Sequence, residues 1–158
     1  MKFAVFLDVD GVLNTKTTCQ RSPEGYRGID SERVKILANA IKQYEDVDLV
    51  LTSDWKEIKP ESEDFKYLVS CLETYGLHLS GKTVDKWKNR GEGICKYLDE
   101  HPQIEDFVIL DDNKFDFSDE KKLWERLLIT DGIERAEFAS RTPEVETMIF
   151  MDYIKKFS

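Results

Sequence analysis

The strongest constraint on this chain is an alternation. Short unbroken apolar runs at 2–8 (KFAVFLD), 48–52 (DLVLT), 105–111 (EDFVILD) and 125–131 (ERLLITD) are separated by stretches of helical periodicity. Runs of this length suit buried strands and are too short for helices. In DSERVKILANAIKQYE, with Asp30 as N-cap, residues Val34, Leu37, Ile41 and Tyr44 fall on one helical face. SEDFKYLVSCLETYG reads as a helix stopping before Gly76, and GEGICKYLDEH as one that Pro102 ends. TPEVETMIFMDYIKKF reads as a C-terminal helix with Thr142 as N-cap and Pro143 at its first helical position. Apolar strands joined by helices imply a parallel sheet covered on both faces. The expected fold is therefore α/β, a three-layer sandwich around a central parallel sheet, in one domain over residues 1–158.

Composition excludes several functions. No apolar run approaches the roughly 20 residues of a membrane span, and the first apolar run is too short for a secretory signal. Cys19, Cys71 and Cys95 are odd in number and form no CxxC pair, so reduced thiols in a cytoplasmic protein are expected. His78 and His101 match no metal spacing. A net charge of −9 argues against an extended nucleic-acid groove, which needs a basic stripe, but leaves room for a small pocket that binds one phosphate.

Open parallel sheets bind ligands at the carboxyl ends of their strands. Asp8, Thr52 and Asp111 each close a predicted strand, so three strand ends deliver polar side chains to one edge. If the first strand continues, Asp8 and Asp10 point to the same side. Asp111 and Asp112 add two further acids. Four carboxylates at one edge repel unless a cation intervenes. With no His or Cys among them, a hard ion such as Mg²⁺ is the expected cofactor, and Asp8, Asp10, Asp111 and Asp112 are its expected ligands. Thr52 and Ser53 offer hydroxyl and N–H donors, and Arg90 precedes Gly91 and a predicted helix start, where a guanidinium suits an anion. Acids, hydroxyls, one cation and Mg²⁺ together describe phosphoryl chemistry. One carboxylate would attack phosphorus, and another would protonate the leaving alcohol and then activate water.

These motifs resemble those of the haloacid dehalogenase-like superfamily. FLDVDGVLN is similar to its first motif, a DxD pair after the first strand, LVLTS to its second, and VILDDN to its fourth. Arg90 stands where the third-motif Lys or Arg belongs, with Lys82 and Lys88 as rivals that spacing and the helix start disfavour. Through DGVLN, an S-x-W-K stretch, RG at a helix start and ILDD, the nearest resemblance is to the small domain within RNA-repair proteins. Asp54 and Lys56 stand where that subgroup tends to have Ser and Arg. The resemblance implies a Rossmann-like core with little or no cap, and a phosphatase with Asp8 as nucleophile and Asp10 as general acid and base. It also implies that the main-chain carbonyl of Asp10 reaches the metal. Thr52, Ser53 and Arg90 would then bind phosphate.

Other residues have blander readings. Asp116 reads as a loop acid, and Trp55, Trp87 and Trp124 as core or pocket walls. Lys82, Lys86, Lys88 and Arg90 read either as a solvated face or as a funnel for an anion. Residues 14–29 are polar, with Pro23, Gly25 and Gly28, and read as a loop or hairpin, with 12–29 expected to form a flap. Receiver domains also gather acids and Mg²⁺ at strand ends, but the order here, DxD first and the double acid late, favours a phosphatase. The expected substrates are phosphate monoesters, small or at the end of a nucleic acid. The alternatives are a weakly catalytic regulatory module or a phospho-acceptor domain.

Overall fold

The computed structural model describes residues 1–85 and 89–158. Lys86, Trp87 and Lys88 lie outside the described residues.

The chain is mixed α/β. Its strands are β1 (Lys2–Leu7), β2 (Asp46–Leu51), β3 (Gly81–Lys82), β4 (Asp106–Asp111), β5 (Leu127–Ile129) and β6 (Glu137–Phe138). Its α-helices are α1 (Ser31–Ile41), α2 (Glu63–Glu73), α3 (Arg90–Glu100), α4 (Lys121–Trp124) and α5 (Val145–Phe157). The strands form one sheet in the order β3-β2-β1-β4-β5-β6. All pairings are parallel except β5 with β6, which is antiparallel.

The central strands are apolar on both sides because both sides are covered. Phe3, Val5 and Leu7 join Leu49, Leu51, Val108 and Leu110 in one core, which takes in Val34 and Leu37 of α1, Leu68 and Leu72 of α2, and Phe150 and Ile154 of α5. Ala4 and Phe6 point the other way and pack with Val50, Phe107 and Ile109 against Ile94 and Tyr97 of α3 and Leu123 of α4. This alternation is the two-residue period of a strand, and the result is a three-layer sandwich.

The chain leaves β1 toward β2 and β3, then crosses back through α3 to β4 on β1's other side. The direction of winding therefore reverses between β1 and β4, and a ligand crevice is expected at the carboxyl ends of those two strands.

The sheet edges and the last helix depart from the sequence reading. The sheet has β3 and β6 in addition to the four expected strands. Each is two residues long, too short for periodicity to register. The last helix begins at Val145 with Glu144 as N-cap, not at Thr142 and Pro143. The Glu144 N–H donates to the Glu125 carbonyl at 3.0 Å, which holds that residue extended and outside the helix.

Candidate active site

The register of the central strands builds the site. Leu7 is level with Leu51 of β2 and with Leu110 of β4. One residue further along, Thr52, Asp8 and Asp111 stand abreast. The ladder extends this far, with Asp8 N–H donating to Leu110 O at 3.0 Å and Thr52 N–H to Leu7 O at 2.9 Å. Side chains at strand ends so paired cannot turn to solvent freely, and Asp8, Thr52 and Asp111 are all buried.

Carboxylate oxygens of Asp8, Asp111 and Asp112 lie within 4.8 Å of one another, an arrangement able to hold a metal ion. Burial pushes the Asp8 carboxyl well above the usual range, the Asp111 charge adds to this, and the Arg90 charge opposes it. Asp111 is pushed up to about 6 by burial, again against Arg90. Asp8 Oδ1 is buried with no hydrogen-bond partner among the described residues, and so is Thr52 Oγ1. An unmet buried carboxylate oxygen costs free energy unless something binds it. It sits in an all-oxygen donor set, which fits a hard cation. The residues present thus match the ion that the sequence implies.

Arg90 is the first residue of α3, whose N-cap Asn89 accepts a hydrogen bond from Glu92 N–H at 3.2 Å. Its Nη1 donates to Asp111 Oδ2 at 2.8 Å and lies 3.3 Å from Asp8 Oδ2. Its Nη2 is 3.8 Å from Asp54 Oδ1. α3 can start against the loop that follows β4 because residue 91 is glycine: a Cβ there would lie 2.5 Å from the Asp116 carbonyl oxygen.

Asp10 is placed differently from expectation. β1 ends at Leu7 and the chain turns, with Gly11 at φ 89°. Asp10 is exposed, and its carboxylate is outside the three-acid group. Asn14 Nδ2 donates to its Oδ1 at 2.9 Å, and the Trp55 indole N–H donates to its Oδ2 at 3.4 Å. The two-residue period that would aim both aspartates at one point needs a continuing strand, and the turn breaks it. Gly11 also serves Asp112, since a Cβ at position 11 would lie 2.5 Å from the Asp112 carboxyl carbon.

The other residues divide as follows. Ser53 caps the 3₁₀ turn Asp54–Glu57, its Oγ accepting from Trp55 N–H at 3.2 Å. Lys56 is buried, and its Nζ binds Thr52 O at 3.3 Å, Thr83 Oγ1 at 3.2 Å and the Asp85 carboxylate. Those three acceptors make Lys56 a tie between two loops. Lys82 Nζ donates to Lys56 O at 3.3 Å. Of the proposed third-motif cations among the described residues, Arg90 is the one paired with the acid group. Asp116 is not in that group. Trp124 packs against the α3-side core. The three cysteines are free.

Sequence reasoning missed the support of the flap. The buried Asp64 in the first turn of α2 accepts from Ser22 Oγ at 2.8 Å and from Glu24 N–H at 2.9 Å. A carboxylate in a helix's first turn reads as a dipole partner, and nothing local marks it as a partner of residues some 40 positions away.

The family model describing the HAD domain in Swiss Army Knife RNA repair proteins matches residues 4–135, most of the chain. The chain belongs to that family. No curated protein and no solved structure matches it. The sheet order and parallel pairing agree with a HAD-like Rossmann-type fold. HAD membership points to phosphohydrolase-type activity on a phosphorylated substrate with a bound metal, and the acid group Asp8, Asp111 and Asp112 fits that chemistry. Among the described residues no helix is long and apolar enough to cross a membrane.

Proposed function

We propose that this chain is a Mg²⁺-dependent phosphohydrolase acting on phosphate monoesters through an aspartyl-phosphate on Asp8. The observation that carries the reading is the unpartnered, buried Asp8 Oδ1 at the centre of the sheet edge, inside a three-carboxylate group and beside Arg90. Asp8, Asp111 and Asp112 would hold the ion, with Asp10 contributing through its main-chain carbonyl. When bound, the ion neutralises acid charge and lets an anionic oxygen approach an anionic phosphate.

The chain's own residues then divide the work. Thr52, Ser53 and Arg90 hold the phosphoryl oxygens. Asp8 attacks phosphorus, forming an O–P bond as the bond to the leaving oxygen breaks. Asp10 gives that oxygen its proton. Asp10, now ionised, takes a proton from water as the water attacks phosphorus; the bond to Asp8 breaks, and inorganic phosphate and free Asp8 result. Asp8 and Asp10 differ in setting: one carboxylate is buried beside a cation, and the other is exposed and accepts hydrogen bonds from Asn14 and Trp55.

One domain over residues 1–158 would carry this activity, in the cytoplasm. Among the described residues no domain-sized insertion stands over the site, which leaves it open to phosphorylated small molecules.

The test is turnover of p-nitrophenyl phosphate. Mg²⁺ supports it, EDTA stops it, and Asp8→Asn removes it while the circular dichroism spectrum stays unchanged. Activity indifferent to EDTA, or an Asp8→Asn enzyme keeping more than about a hundredth of wild-type rate, overturns the reading.

A further inference from the structure

Beside the site lies a cleft of about 480 Å³, bounded on one side by the flap and on the other by the 3₁₀ turn that follows β2. Its volume falls within the roughly 300–1,000 Å³ usual for ligand pockets. Asp10 lines it, together with Trp55 and Ile58 from the turn and Tyr26 and Arg27 from the flap. A leaving oxygen must come within hydrogen-bond reach of its general acid. If Asp10 is that acid, as proposed above, the rest of the leaving alcohol lies in the cleft that Asp10 lines.

The walls state what that alcohol is. The Trp55 ring is buried and held by its N–H bond to Asp10, while Tyr26 is 70% exposed. The main chain of Tyr26 is nonetheless fixed. Its carbonyl accepts from Ser22 N–H at 2.8 Å, its N–H donates to Ser22 Oγ at 3.1 Å, and that Oγ donates to buried Asp64. An aromatic ring offered to solvent from an anchored backbone binds a flat partner with little ordering cost. Charge sets the second condition. Asp10, Glu24 and Asp54 line the cleft with carboxylates, against Arg27 as the base among the described lining residues. Asp64, which also lines it, is committed to the flap. Such a lining repels an additional anion.

Resting on the phosphohydrolase reading, we propose that this cleft is the leaving-group subsite, that it takes one uncharged alcohol bearing a flat ring, about the bulk of a nucleoside, and that it disfavours a leaving group carrying a second phosphate.

The experiment compares kcat/KM for adenosine monophosphates, glycerol phosphate and an adenosine bisphosphate with Mg²⁺. The monophosphates should exceed glycerol phosphate by about tenfold, the worth of one aromatic stack. Tyr26→Ala should abolish that advantage and Tyr26→Phe should keep it. The bisphosphate should be poorer than the monophosphates, and the gap should narrow in high salt, which screens like-charge repulsion. A second arm needs no turnover: adenosine, but not ribose, should shift the Trp55 indole N–H resonance, and Tyr26→Ala should weaken that shift. Equal kcat/KM with and without a ring, or preference for the bisphosphate, overturns this inference and leaves the phosphohydrolase standing. No hydrolysis of any ester with the adenosine shift intact overturns the enzyme reading and supports the cleft as a ring-binding site. No hydrolysis and no shift overturns both.

Discussion

Arg90 Nη1 donates to Asp111 Oδ2 at 2.8 Å, joining the first turn of α3 to the end of β4. The same nitrogen is 3.3 Å from Asp8 Oδ2, so one guanidinium balances two buried acids. Arg90→Ala removes that balance. In EDTA at neutral pH the variant should lose about 3 kcal/mol, the usual cost of leaving buried charge without its partner. Mg²⁺ should recover part of the loss, because it neutralises the same carboxylates. With Mg²⁺ present, KM should rise as a phosphate ligand is lost. Chemical denaturation with and without Mg²⁺, beside steady-state kinetics, checks both parts. Unchanged stability and unchanged KM would leave Arg90 with no role at this site.

Asp10→Asn keeps the size of the side chain and can no longer donate a carboxyl proton. The loss should be large, at least about a hundredfold, for alkyl phosphates, whose leaving groups need protonation, and much smaller for p-nitrophenyl phosphate. Kinetics on the two ester types tests this. Equal losses on both would assign Asp10 to structure, through its bonds to Asn14 and Trp55, and not to proton transfer.

Gly11→Ala combines two effects. At φ 89° an alanine costs about 1–2 kcal/mol of backbone strain. Its Cβ would also displace the Asp112 carboxyl group, which lies 2.5 Å from where it would stand. Gly25→Ala is the matched control: φ is 90°, with nothing within 4 Å of a Cβ. Both should lose stability, but only Gly11→Ala should weaken Mg²⁺ binding measured by calorimetry. Equal Mg²⁺ affinities in the two variants would remove Asp112 from the ion's ligands.

The raised Asp8 and Asp111 carboxyls make the metal-free protein sensitive to pH. A carboxyl whose folded-state pKa lies above its unfolded value holds its proton more tightly when folded. Its contribution to stability is therefore full below the unfolded value, about 3.9, and is lost as pH rises through the folded value. For Asp111 that value is about 6. In EDTA, stability should decline between about pH 4 and pH 7 relative to an Asp111→Asn variant, which lacks the group. Added Mg²⁺ needs ionised carboxylates, so its gain in melting temperature should be greater at neutral than at acid pH. An Mg²⁺ effect of equal size across this range would separate the metal from these two acids.

The sequence alone determined the layer architecture, the four strands β1, β2, β4 and β5, and the sheet edge at which the candidate site stands. Residues such as Phe3 to Leu7 and Phe107 to Leu110 are apolar at every position because both faces of the sheet are covered, and that signal is local. The polar residue that ends each run, Asp8, Thr52 or Asp111, then has to stand at the carboxyl edge of a parallel sheet. Tertiary structure decided the rest. The split between a buried Asp8 and an exposed Asp10 depends on the turn at Gly11, which no two-residue period reveals. Spacing and the helix start already favoured Arg90 over Lys82, but what each cation meets is a tertiary matter: Asp8 and Asp111 for Arg90, main-chain carbonyls, Thr83 and Asp85 for Lys56 and Lys82. The bonds from Trp55 to Asp10 and from Ser22 to Asp64 join residues more than forty positions apart. Periodicity reports which way a side chain points within its own element; which distant group it meets depends on how the elements close around one another, and in this chain that closure makes the site.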